Sequence, residues 1–108
     1  MQVVRAYLGQ DPAALPLRHV GGGRRVLAVD DNKVQLRLAQ ALLSRRGFAV
    51  VTAEDGEQAM ALLRERTPEV ILLDVMLPDT DGYELCATIR RFDQWTGIPV
   101  LMLTALDD

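Results

Sequence analysis

Four consecutive apolar residues, Val70-Ile71-Leu72-Leu73, run directly into a carboxylate, Asp74. The run is too short for a buried helix and is bounded by Pro68 and Pro78, so it reads as a strand buried on both faces. Such strands belong to parallel sheets, whose connections lay helices over both surfaces. In open α/β sheets the ligand site lies just beyond the carboxyl ends of the strands, so Asp74 sits where chemistry is usually placed and is the candidate phosphate acceptor.

The rest of the chain repeats the theme. Val26-Leu27-Ala28-Val29 is a second short apolar run, and it ends in Asp30-Asp31-Asn32. Leu36, Ala39, Leu42 and Leu43 then recur at helical spacing over Lys33 to Arg46, with Asn32 as the N-cap and Gly47 as the stop. Phe48 to Ala53 has strand composition, Glu54-Asp55-Gly56 turns, and Gln58 to Arg66 is helical until Thr67-Pro68 ends it. A loop over Val75 to Asp81 leads to a helix from about Gly82 to Arg91 that turns Leu85, Cys86 and Ile89 inward. Pro99 to Leu103 is the fourth strand, capped by Thr104-Ala105. The order βαβαβαβ predicts an α/β fold with a doubly wound parallel sheet and right-handed crossovers.

Residues Met1 to Arg25 depart from this pattern. Pro12 and Pro16 interrupt weak apolar clusters and Gly21-Gly22-Gly23 reads as a hinge, so 1–23 is expected to be a tail or linker and 24–108 the domain. A short helix over Val3 to Leu8 is compatible with Val4 and Leu8 sharing a face. The triple glycine lacks the downstream glycine, lysine and hydroxyl of a phosphate-binding loop. With 12 basic against 15 acidic residues and a net charge of -3, no field points to nucleic acid or a membrane surface. The lone Cys86 excludes an internal disulfide, and neither a leader nor a membrane-length apolar run is visible, so a cytoplasmic protein is expected. Cys86 reads as a small core residue, and His19 as a tail residue without a partner acid.

Asp30 and Asp31 after the first of these strands, Asp74 after the third and Thr104 after the fourth all fall at one end of the expected sheet. Clustered carboxylates repel, and a hard divalent cation with oxygen ligands relieves the repulsion. Mg2+ fits best, since it takes one or two carboxylates and keeps waters that a phosphate replaces. Asp74 would then act as a nucleophile toward a phosphoryl group, with the Thr104 hydroxyl donating to one of its oxygens.

Three segments, Val26 to Asn32, Leu72 to Gly82 and Pro99 to Ala105, resemble the signature segments of bacterial two-component response-regulator receiver domains, in the right order and over Arg24 to Asp108. The resemblance implies a flavodoxin-like fold and phosphorelay signalling, with Asp74 as phosphoacceptor. It implies Mg2+ ligands at Asp31, Asp74 and the Met76 backbone carbonyl, support from Asp30, and a phosphoryl contact from Thr104. The implied donor is the phosphohistidine of a sensor histidine kinase or a phosphotransfer domain, and the implied role is a signalling module rather than a turnover enzyme.

Receivers of this kind continue with a helix, a fifth strand carrying a phosphoryl-pairing lysine, and a last helix. The chain resembles a receiver that stops after the fourth strand, and its single lysine, Lys33, begins the first helix. Losing one charge-assisted contact of that sort costs about 1.5 to 3 kcal/mol, so slow or absent phosphorylation of the 108-residue form is expected. The apolar backbone edge of Pro99 to Leu103 is expected to lie open and to drive homodimers or aggregation. Two alternative readings follow: a truncated or degenerate receiver that works as a phosphate-independent interaction or dimerisation module, and a Mg2+-dependent phosphohydrolase suggested by Asp79-Thr80-Asp81-Gly82. In the second, Pro78 before Asp79 makes the match poor, and Asp79 and Asp81 read better as loop formers.

Overall fold

The computed structural model describes residues 2–7 and 24–105, with side chains over 24–103. Five strands and three helices follow one another: β1 (Gln2–Tyr7), β2 (Arg25–Val29), α1 (Lys33–Ser44), β3 (Ala49–Ala53), α2 (Gly56–Glu65), β4 (Val70–Asp74), α3 (Gly82–Arg90) and β5 (Val100–Ala105). Spatially the sheet runs β1-β5-β4-β2-β3. β2 is parallel to both β3 and β4, and β4 is parallel to β5. The four parallel strands and three helices are those the sequence predicts, with ends displaced by a residue or two; Thr104 and Ala105 belong to β5 instead of capping it.

Local chemistry explains where the helices begin. The Asn32 side chain accepts from the amides of Val34 and Gln35 and so caps α1, while Gly47, at φ 88°, closes it in the left-handed region that favours glycine. Asp55 caps α2 and Asp81 caps α3, each through the amide three residues on. Along each central strand the side chains alternate between two cores. Leu27, Val29, Ile71, Leu73, Val100 and Met102 pack with Leu63 of α2 and Leu85, Cys86 and Ile89 of α3. Val26, Ala28, Val70, Leu72 and Leu101 pack on the opposite face with Leu36 of α1 and Phe48. Burial of the strands on both faces is the consequence, as the unbroken apolar runs require. Leu42 departs from the helical pattern: it is exposed and, with Leu38, flanks a groove on the α1 side, while Leu36 makes the buried contact.

The largest difference from the sequence reading lies at the amino end. Residues Gln2–Tyr7 form neither a tail nor a helix but a strand, antiparallel to β5, with register from Gln2↔Ala105 to Tyr7↔Leu101 and an irregularity between Val4 and Ala6. The backbone edge of β5 is therefore covered by the chain itself, and the expected homodimer through an open fourth-strand edge loses its basis. Val3, Val4 and Tyr7 are strand formers, and the unpaired N–H and C=O groups of β5 gain partners from them. Gly21-Gly22-Gly23 and His19 lie outside the described residues, as does most of the expected 1–23 linker.

Candidate acidic site at the carboxyl edge of the sheet

β2 delivers two acids in different surroundings. Asp30 is 4% exposed, and its backbone N–H continues the ladder to the Ala53 carbonyl at 3.0 Å. Its Oδ1 accepts from the Asn32 amide at 2.9 Å, so the residue that caps α1 also fixes the buried carboxylate. Asp31, next in the chain, is exposed. Asp74 closes β4 and is half-buried between them. One carboxylate oxygen from each of Asp30, Asp31 and Asp74 lies within 4.8 Å of the other two. The structure thus brings together three of the acids that the sequence placed at one sheet edge.

Burial and the crowding of like charges both act on Asp74. Burial, then the Asp30 charge, pushes its pKa up to about 6; amide donation from Met76 and Val75 opposes this, and Asp31 adds to the rise. A cation among the three carboxylates would relieve the cost of ionising Asp74.

Met76 follows in an exposed loop, bridged antiparallel to Asp81, with its amide on the Asp74 carboxylate. The loop is folded tightly. The Val75 amide donates to the Leu103 carbonyl at 3.2 Å, the Leu77 amide to Thr80 at 3.1 Å, and the Gly82 amide to Val75 at 2.6 Å. Gly82 allows this path, because a Cβ there would run into the Asp74 carbonyl and stand 2.6 Å from Met102 Cε. Thr104 extends β5 one residue beyond Leu103, the register partner of Asp74, and its backbone pairs with Val3. Its side chain lies outside the described residues. Lys33 lines a separate groove with Arg37, Gln40, Thr52 and Glu54, on the flank between α1 and β3.

Two contributors are not visible in the sequence pattern. The Asp79 carboxylate accepts from the amides of Gly56 at 2.8 Å and Glu57 at 3.0 Å, across more than twenty residues of chain, and this donation holds its carboxyl below the usual range. Gly56 lets α2 approach, since a Cβ there would be 2.8 Å from Thr80 Cγ2. Only the Asp-Gly dipeptides at 55–56 and 81–82 hint at such tight packing. Among the described residues no helix is long and apolar enough to cross a membrane.

Residues 26–108 match the response regulator receiver domain family. The transcriptional regulatory protein AfsQ1 of Streptomyces coelicolor is 46% identical over 83 residues, covering 77% of this chain and 35% of that protein. Of solved structures, the phosphorylated cyanobacterial phytochrome response regulator RcpA is similar with a TM-score of 0.72 and 35% identity, covering 81% of this chain and 69% of that one. The Mn2+-bound form of response regulator Rcp1 gives a TM-score of 0.70 and 33% identity, covering 79% and 68%. The chain spans 32% to 35% of the length of several such curated regulators. Sequence kinship over most of the parallel sheet and likeness to solved receivers agree, and the chain belongs to the response regulator receiver domain family of two-component signalling.

Proposed function

We propose that Asp74 accepts a phosphoryl group from the phosphohistidine of a sensor histidine kinase or a phosphotransfer domain, with Mg2+ as the required cation. The observation that carries this reading is the position of Asp74: it closes a central parallel strand, remains partly accessible, and has carboxylate oxygens of Asp30 and Asp31 within 4.8 Å. That RcpA has been solved phosphorylated and Rcp1 with Mn2+ supports the reading by kinship.

The donor set fits the cation. Opposed ligands of an octahedral Mg2+ stand about 4.2 Å apart, within the observed spread of the three acids. Asp31, Asp74 and the Met76 backbone carbonyl would hold it, with Asp30 in support. Bound there, it supplies positive charge against the phosphoryl oxygens. Asp74 supplies the nucleophile: one ionised oxygen bonds to phosphorus as the bond from phosphorus to the donor's imidazole nitrogen breaks, and that nitrogen keeps the electron pair. Asp30, fixed by the Asn32 amide, adds a negative charge that makes Asp74 more basic and favours a cation beside it. Thr104, at the same sheet edge, is the hydroxyl assigned to a phosphoryl oxygen.

The hydrolase alternative finds no support at Asp79, whose two oxygens are both engaged by α2 amides. The phosphate-independent dimer through β5 meets an edge already paired with β1.

Intact-mass spectrometry after incubation with acetyl phosphate and Mg2+ tests the proposal. The chain is expected to gain one phosphoryl group, and its Asp74→Asn variant none. A folded parent that gains nothing, or an Asp74→Asn variant that gains as much, overturns it.

A further inference from the structure

The loop that follows Asp74 is strapped to a helix that contributes no acid to the site. Asp79 takes the first two amides of α2 with separate oxygens, at 2.8 and 3.0 Å. Asp81, two residues on, takes the Glu84 amide at the start of α3 at 2.7 Å. Asp79 lies within the Leu77–Thr80 turn, and Met76 sits between that turn and the Asp74 carboxylate its amide touches. Both helix ends are therefore joined through carboxylates to the short segment that carries the Met76 carbonyl.

α2 already has a local cap. Asp55 accepts from the Gln58 amide at 2.7 Å, so the amides of Gly56 and Glu57 are a separate pair directed at Asp79. Close packing makes the strap stiff, because a Cβ on Gly56 would lie 3.3 Å from both Asp79 oxygens and 2.8 Å from Thr80 Cγ2. From this geometry we infer that Asp79 is a positioning residue for the acidic site: it fixes the loop over 75–81 against α2 and thereby the place of the Met76 carbonyl toward Mg2+. The inference rests on the metal reading proposed above. It assigns no contact between Asp79 and the cation.

Titration calorimetry with MgCl2 on the 108-residue chain and three variants tests it. Asp79→Ala removes both acceptors and is expected to weaken Mg2+ about fivefold, short of the tenfold or more that follows loss of a group bonded directly to a ligand. Asp79→Asn keeps one acceptor oxygen and is expected to recover most of that loss. Asp55→Ala removes a cap from the same helix without touching the loop, and is expected to lower the melting temperature while leaving the Mg2+ Kd in place. Unchanged affinity in Asp79→Ala, or equal weakening in Asp55→Ala, overturns the inference. A parent chain that binds no Mg2+ overturns the metal reading instead, and amide exchange in the metal-free proteins then decides the positioning role. Faster exchange at Leu77 and Gly82 in Asp79→Ala but not in Asp55→Ala sustains it; no difference between them rejects it.

Discussion

Asp74 is held at a cost that depends on pH. Its folded pKa, about 6, stands above the ordinary 3.8, so the folded state binds this proton more tightly than the unfolded chain does. The associated stability is fully present below the ordinary value and is lost as pH rises through about 6. In EDTA, urea denaturation of Asp74→Asn and parent should therefore show the variant gaining on the parent between about pH 4 and about pH 7.5, and Mg2+ should narrow the gap. A difference independent of pH would contradict the raised pKa that burial and the neighbouring carboxylates give Asp74. Gly82 carries a second expectation: with Asp74 and Met102 atoms in the place of its missing Cβ, Gly82→Ala should cost about 1–3 kcal/mol by the same denaturation assay. Asp30, Asp31 and Asp74 were legible as an acidic cluster because they follow apolar runs, and a parallel sheet collects the ends of such runs at one edge. The strap by Asp79 was not legible, since local sequence shows the caps three residues away but not one that reaches from residue 79 to residue 56.

At the scale of elements, the helices divide unequally between the two faces. α2 and α3 share one core, where Leu63 and Ile89 are almost wholly enclosed, and either residue changed to Ala should lose about 2–5 kcal/mol. α1 alone supplies the described helical cover on the other face; it leaves Leu38 and Leu42 half in solvent beside a groove lined by Leu72 and Leu103. Three-and-four spacing and short apolar runs were enough to place β2 to β5 and all three helices, because each is defined by contacts its own periodicity announces. β1 has no such announcement. Its six residues are ordered by a partner strand at the far end of the sequence, and the Val4 and Leu8 spacing that suggested a helix is outweighed by Val3, Val4 and Tyr7. Deleting residues 1–7 should uncover the β5 edge and shift the chain toward larger assemblies than the intact chain forms, in size-exclusion chromatography with light scattering. A deletion variant that elutes as the intact chain does would argue against β1 as the cover.

For the molecule as a whole, the sheet is a mixed one: four parallel strands in an order that winds outward from β2 and β4, closed on one side by an antiparallel strand. The parallel part is assembled stepwise, each strand joining one already made by a crossover of ordinary length. The closing pair is different, for it joins residue 2 to residue 105. Contacts of such separation form late and slowly, since the whole intervening chain must be ordered first. In folding, therefore, β1 is the last strand to find its partner, and until β5 is in place the strand-forming residues at 2–7 are free to pair with other molecules.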